Sequence, residues 1–239
     1  PQDAKAIAFS PSSFTAGTNK IFEDLVSFVG LGADLHAYES ALPRSSNGGI
    51  DLALSATAIA VPGHVTNGLT TLGIPNIPRF VPIPKLNIQK GIASRLILGA
   101  EFLPNIKIQG NKLSLYGFNA QYAFVKRPHM PVFSIRAQFN YADFVFVRAM
   151  TYGGDLIIGH TILFLDIFGG AGYRFVTGDI SNPTSTIPSL PGVTLSHTID
   201  AGHFLAGVSS TFGFARLTIE ADLTTRGINT YGTKLGMVF

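Results

Sequence analysis

From Ile50 to Phe239 the chain repeatedly alternates apolar with polar residues at a period of two. That period marks β-strands with two unlike faces. In "IDLALSATAIAV", Ile50, Leu52, Leu54, Ala56, Ala58 and Ala60 face one way, and Asp51, Ala53, Ser55 and Thr57 the other. "IASRLILGAEFL" places Ile92, Leu96, Leu98, Ala100 and Phe102 opposite Arg95 and Glu101. "LSLYGFNAQYAFV" sets its aromatics against Asn119 and Gln121, and "VFSIRAQFNYA" sets Phe133, Ile135, Ala137, Phe139 and Tyr141 against Ser134, Arg136, Gln138 and Asn140. "LFLDIFGGAGYRFV" carries Asp166 and Arg174 on its polar face, and "FARLTIEADL" carries Arg216, Thr218, Glu220 and Asp222. The final "TYGTKLGMVF" places Tyr231, Leu235, Met237 and Phe239 opposite Thr230 and Lys234. Weaker alternation near 146–158, 195–209 and 84–90 brings the expected total to about ten strands.

Two all-β architectures could use such strands. A soluble barrel or sandwich would turn the apolar face inward, whereas a transmembrane barrel would turn it toward lipid. Composition favours the second. Hydrophobic residues make up 46% of the chain and charged residues 13%, against roughly 25% charged in an ordinary soluble domain. Yet no uncharged apolar run is long enough for a spanning helix, which needs about 18 residues or more. The nearest, Leu156 to Tyr173, is broken by His160, Asp166 and the Gly169-Gly170 pair. A closed barrel is the other structure that satisfies every backbone group in hydrocarbon.

Three further patterns agree. The apolar faces are nearly unbroken, while the polar faces mix both charge signs with amides, as an enclosed interior would. Aromatics (Tyr116, Phe124, Phe133, Tyr141, Tyr173, Phe175, Tyr231 and Phe239) gather toward strand ends, as interfacial girdles do. The connectors also sort by length. Short ones fall near 90–91, 126–130, 159–161 and 211–213, and the alternate set holds the long stretches 62–83 and 178–194 with shorter ones near 104–112, 143 and 225–227. Short turns on the periplasmic side and longer loops outside are the habit of outer-membrane barrels. The expected fold is therefore an all-β, transmembrane, antiparallel up-and-down barrel over 50–239.

Residues 1–49 form a separate N-terminal segment. "TNKIFEDLVSFVG" reads as a helix over 18–30, capped by Thr18, with Ile21, Phe22, Leu25, Val26 and Val29 on one face. The helix is expected to enter the lumen from the periplasmic side as a plug. The stretch after it, to Gly49, shows no period. The lumen set Arg95, Glu101, Arg136, Asp166, Arg174, Arg216, Glu220, Asp222 and Lys234 holds five positive and four negative groups. Such balance points to a self-paired network, since a selective ion pore shows one sign in excess. Gly169, Gly170 and Gly172 mark either a bulge or the close approach of another backbone. "LTTLGIPNIPRFVPIP" offers Ile74, Ile77 and Phe80 between prolines as a preordered loop pocket for a greasy ligand, or as a lid.

Several functions are disfavoured. The chain has no cysteine, so it has no disulfide, thiolate site or thiol nucleophile. It has no basic run for nucleic acid. His36, His64 and His129 are scattered, which indicates no metal site. His160, His197 and His203, with Ser196 and Ser209 nearby, lack the spacing that would pair a serine with a base on one strand face. Neither a catalytic residue nor a cofactor is expected. The start "PQDAKAIAF" is not a secretory leader, and a mature form with its signal peptide removed is expected.

"YGTKLGMVF" resembles the C-terminal signal of bacterial outer-membrane β-barrel proteins: Gly232, then Leu235, Met237 and a final Phe239. The resemblance implies recognition of 231–239 by the barrel-assembly machinery. More loosely, the helix ahead of the first strand, with "GGIDLALS" and "VPIPKLNIQKG", is similar to the lumen-plugged long-chain fatty acid transporters and to barrels with the order helix, strand, proline-rich loop, strand. The expected protein is a monomer in the bacterial outer membrane, in contact with lipid, and the plug-like helix, apolar outer loops and balanced lumen lead to the expectation of a passive channel for small hydrophobic molecules with its lumen occluded by the helix. The other expectation is a closed structural or adhesive surface barrel.

Overall fold

A computed structural model describes residues 16–34, 36–41, 49–71, 76–108, 111–127, 129–144, 147–181 and 194–239. Ten antiparallel strands close into a barrel: β1 (Ile50–Ala60), β2 (Phe80–Ala93), β3 (Leu96–Ile108), β4 (Asn111–Val125), β5 (Val132–Phe144), β6 (Val147–Ile162), β7 (Leu165–Ser181), β8 (Thr194–Phe212), β9 (Ala215–Thr224) and β10 (Thr230–Val238). Each strand pairs with its sequence neighbours, and β1 pairs with β10 to close the ring. The seam ends in a reciprocal pair: Ile50 N–H donates to the Phe239 carbonyl at 3.1 Å, and Phe239 N–H donates to the Ile50 carbonyl at 2.9 Å. No strand edge is left open along the ring, so a bilayer can surround it.

The alternation decides which face is which. Along β1 the burial pattern alternates strictly between exposed and buried residues. The apolar set faces out: Leu54 is 65% exposed, Phe118 56%, Phe204 63% and Leu235 62%. The polar set faces in: Lys85, Glu101, Gln121, Arg174, Arg216 and Lys234 are each 2% exposed or less. A soluble core would need the reverse. Aromatic pairs brace the outer face across strands, with Tyr116 stacked on Tyr141 at 4.9 Å and Tyr152 on Phe175 at 5.5 Å.

The two rims differ. One rim, here the turn end, carries the starts of β1, β3, β5, β7 and β9 and the connectors 94–95, 126–131, 163–164 and 213–214. The opposite loop end carries 61–79, 109–110, 145–146, 182–193 and 225–229. The sorting expected from sequence is present, but turn positions move two to four residues along. Ser94-Arg95 is itself a turn, so "IASRLILGAEFL" is not one strand. The β2 strand begins at Phe80, not at Pro84, and so takes in the end of the expected loop. Its prolines are tolerated because the β2–β3 ladder starts only at Leu86↔Phe102, leaving Pro82 and Pro84 paired with β1 alone.

Two helices complete the chain. The first, α1 (Ala16–Gly32), is longer at both ends than expected, and Thr18 lies inside it rather than at its cap. The second, α2 (Gly63–Thr71), sits in the β1–β2 connector and was not foreseen. Phe22, Leu25, Val26 and Val29 of α1 pack against Ile59, Leu103, Leu115, Val147, Val176 and Ile199, all on the inward face near the loop end. The helix is therefore inside the barrel, in its loop-end half. Residues 33–41 descend from it toward the turn end, where Ala41 packs with Ala123, Val132, Ile157 and Phe168.

Candidate functional site: the plugged lumen

A ring of ten strands leaves more interior than an eight-stranded barrel can fill with side chains. The N-terminal segment takes up that space in two chemically different layers. In the loop-end layer the contact is apolar, and the wall is carved to receive the helix. A Cβ added at Gly178 would lie 2.5 Å from Val26 Cγ1, and below the helix one added at Gly232 would run into the Tyr38 ring. Glycines of the plug answer in kind, since Gly30 and Gly32 lie against the side chains of Val176 and Ile59.

Below the helix the described residues form no helix or strand, Tyr38 taking a positive φ of 47°, and such a backbone in a barrel lumen has no neighbouring strand. Its carbonyls are satisfied by wall side chains instead. Thr151 donates to the Gly30 carbonyl at 2.9 Å, Asn140 to Ala33 at 2.8 Å, Lys85 to Asp34 at 2.8 Å, Gln89 to Ala37 at 2.6 Å and Gln121 to Ser40 at 2.8 Å. The polar side chains of the segment are also bound. Tyr38 meets the Thr57 hydroxyl at 2.5 Å, and His36 sits between Glu220 at 3.2 Å and Thr230 at 3.0 Å.

The charges gather into connected centres. At mid-lumen Arg174 joins Asp34 of the plug to Asp155 of the wall, at 2.5 Å each. Asp155 also meets Arg136 at 3.2 Å and His203 at 3.0 Å, and His203 reaches Asp222 at 2.8 Å. Gly172 makes room for this centre, since a Cβ there would fall 2.3 Å from an Asp155 oxygen. The β7 ladders run through Gly169, Gly170 and Gly172 without a register shift, so no bulge is present. Nearer the turn end Arg216 binds Glu39 of the plug at 2.8 Å, and Lys234 binds Asp51 at 3.0 Å and Glu39 at 3.7 Å. A third pair, Lys85–Glu101 at 2.9 Å, anchors the Asp34 carbonyl.

The residues singled out from sequence divide accordingly. Phe22, Leu25, Val26 and Val29 line the helix–wall contact, and Glu101, Asn119, Gln121, Arg136, Asp166, Arg174, Arg216 and Glu220 are buried inside. Arg95 is a correction: it is exposed in the β2–β3 turn, because the strand containing Glu101 starts only at Leu96. Phe80 is another. It opens β2 and is 47% exposed, so it does not close a loop pocket. Ile77 is half-buried in the connector, and Ile74 lies outside the described residues.

The expected charge balance is also overturned. Among the described residues the buried set holds eight carboxylates (Asp34, Glu39, Asp51, Glu101, Asp155, Asp166, Glu220 and Asp222) against five Lys or Arg, with His36 and His203 between them. Sequence reasoning missed Asp34, His36, Tyr38 and Glu39, because the aperiodic stretch after the helix carried no strand signal. It also missed Lys85 and Asp155, and it left Asp51 out of the charged lumen set although the alternation puts Asp51 on the polar face. Counting in twos from Asn87 and Gln89 would have found Lys85, which shares their face.

Chemically, the lumen binds its own chain at every level. Glu220, His36 and Thr230 follow one another as acid, imidazole and hydroxyl, but all are 5% exposed or less and together join plug to wall.

No family model matches the sequence, and no curated protein matches it. Solved structures with a similar trace are bacterial barrels. The outer membrane protease OmpT of Escherichia coli is 9% identical, with 82% of this chain and 95% of that one covered and a TM-score of 0.40. The N-terminal β-barrel domain of Pseudomonas aeruginosa OprF is 10% identical over 79% and 97%, at 0.36. Neisserial surface protein A is 12% identical over 80% and 96%, at 0.33. At these values the fold rests on the strand pairing and the outward apolar face, not on the likeness. The looser similarity to fatty acid transporters is not shown.

Proposed function

We propose that the protein is an outer-membrane channel for small hydrophobic molecules, held shut by its own N-terminal segment. The outward apolar face with aromatic pairs, and the sorting of turns and loops to opposite rims, support insertion in that membrane with the loop end outside. The observation that carries the channel reading is the division of the lumen. At the loop end, Leu103, Leu115, Val147, Val176, Ile199 and Ile228 form an apolar vestibule, filled now by Phe22, Leu25 and Val26. A small apolar molecule arriving from outside meets the same chemistry that α1 uses, so ligand and helix compete for one surface. The mechanism follows from that competition. Ligand binding weakens the hold on α1, the segment below it exchanges its hydrogen bonds with wall side chains for water, and a route along the lumen opens.

A second reading, a permanently closed barrel with a structural or adhesive role, is favoured by the five wall-to-backbone hydrogen bonds and the ion pairs that hold residues 30–40. One experiment separates the two. An added Cβ at Gly68 of α2 lies 3.7 Å from Ile21 Cβ, near the ~3.8 Å spacing of a disulfide. The chain has no other cysteine. In liposomes, the Ile21→Cys/Gly68→Cys protein should admit a small hydrophobic dye when reduced and lose that flux when oxidised, while deletion of 1–41 should raise it. Equal or absent flux in all three forms would leave the closed barrel standing.

A further inference from the structure

The turn end carries a feature that the lumen does not use. The turns β2–β3 and β4–β5 and the end of β6 enclose a cavity of about 680 Å³, lined among others by Arg95, Lys126, Arg127, His129, Met130 and His160. Among the described residues no carboxylate lines it. Lys126 donates to the Ser94 carbonyl at 3.1 Å, which ties two of the turns together and fixes the cavity's shape. Among the described residues none of Arg95, Lys126 and Arg127 makes a salt bridge, in contrast to the loop end, where Arg226 meets Glu23 at 2.6 Å and Arg148 meets Asp143 at 3.8 Å. Toward the loop end lie the half-exposed carboxylates Glu23 and Asp143 and the exposed Asp200. The turn end is thus a concentrated and uncompensated cationic rim.

The position of the cavity narrows its occupant. His160 continues the outward phase of β6, two residues beyond Ile158, which is 45% exposed on the apolar belt, and Lys126 follows the end of β4, where the register shifts past Phe124, itself 42% exposed on that belt. Met130, 50% exposed, adds an apolar wall. A group held there has its anionic end among Arg95, Lys126 and Arg127 and its apolar end against Phe124, Ile158 and Ile135. A soluble polyanion would satisfy only the first half. We propose that this cavity binds the phosphate-bearing headgroup of an anionic phospholipid from the leaflet that faces the turns, with the acyl chains along β4, β5 and β6. The site rests on the membrane reading above and adds to it a lipid with a fixed place. It also pins the turn end at the interface while the plug moves at the other end.

The test uses the full-length protein in detergent and native mass spectrometry, titrating phosphatidylglycerol and, separately, phosphatidylcholine with the same acyl chains. The wild type should bind one phosphatidylglycerol more tightly than phosphatidylcholine. Each basic group near an anionic surface is worth about fivefold in affinity. Arg95→Gln/Arg127→Gln, both exposed in turns, should therefore weaken phosphatidylglycerol up to about thirtyfold and leave phosphatidylcholine unchanged. Arg148→Gln, whose charge is already met by Asp143, should change neither. Equal affinity for the two lipids, or equal loss with Arg148→Gln, overturns the site. Competition by millimolar inorganic phosphate as strong as by the lipid makes it a free-anion site and overturns the lipid assignment. Failure of the membrane reading looks different: the chain would stay monodisperse in buffer without detergent, and neither lipid would bind.

Discussion

The two layers of the plug hold the same segment by opposite means. Around α1 the contact is apolar on both sides and adds up from many small gains, so each lost methyl group costs its own share. Residues 34 and 36–40 are held mainly by directed hydrogen bonds and ion pairs inside a closed wall, where the gain per pair is small but a missing partner is expensive. The apolar layer therefore supplies adhesion, and the polar layer supplies register. A helix alone could slide or rotate in the vestibule, while a carbonyl every few residues matched to a wall amide fixes one depth. The difference also bears on release. An apolar surface needs a substitute to leave, which a hydrophobic ligand provides, whereas the polar segment is readily hydrated once water enters.

The comparison can be broken most sharply at Asp155. Asp155→Ala leaves Arg136 without its carboxylate and takes one of two from Arg174 and from His203, which keep Asp34 and Asp222, and a buried charge left without its partner costs about 3–5 kcal/mol. Urea unfolding of the detergent-solubilised barrel should show a loss of that size, and a loss under 1 kcal/mol would mean that the polar layer is already hydrated. In the apolar layer, Leu25→Ala should cost about 2–4 kcal/mol. It should act on the plug rather than on the wall, so protease sensitivity near Lys20 should rise before the strands unfold. A smaller effect is expected of Gln121→Ala, which removes one donor from the Ser40 carbonyl and should cost about 1–2 kcal/mol. Arg226→Gln, at the rim, breaks a half-exposed pair with Glu23 worth under about 1 kcal/mol. Its effect should vanish in high salt. If Arg226→Gln proved as costly as Asp155→Ala, the distinction between a buried polar layer and a solvated rim would fail.

The wall was legible in the sequence, and half of the plug was not, for physical reasons. Outward residues such as Leu98, Phe118, Ile135 and Ile219 meet a uniform solvent, so each strand repeats one rule and the period shows. The helix was legible because Phe22, Leu25, Val26 and Val29 meet a continuous apolar surface at helical spacing. Residues 33–41 meet a different partner at each step, drawn from β1, β2, β4, β5, β7, β9 and β10, and such matching leaves no local period. Turn positions slipped for a related reason. Gly91 is a turn residue that stays inside β2 while the chain turns at Ser94-Arg95, and the prolines at 82 and 84 imitate a loop while sitting where the β2–β3 ladder is absent. Arg95 was misplaced by that slip, since the strand was assumed to run through it. The aperiodic stretch also hid two acids, Asp34 and Glu39, and with Asp51 and Asp155 left out of the charged set the lumen looked balanced, whereas its buried carboxylates outnumber Lys and Arg.

The central claim is that the N-terminal segment lies inside the ring of strands, and a cross-link tests it most directly. An added Cβ at Gly30 would lie 3.2 Å from Val176 Cβ on the inner wall of β7, within a small adjustment of the ~3.5–4.5 Å a disulfide requires. In a chain otherwise free of cysteine, mild oxidation of Gly30→Cys/Val176→Cys should give a nearly complete intramolecular disulfide. The same cysteine at 30 paired with Phe175→Cys, one residue along on the lipid face, should give none. Cross-linking to 175 as readily as to 176, or to neither, would put the segment outside the barrel and contradict the account.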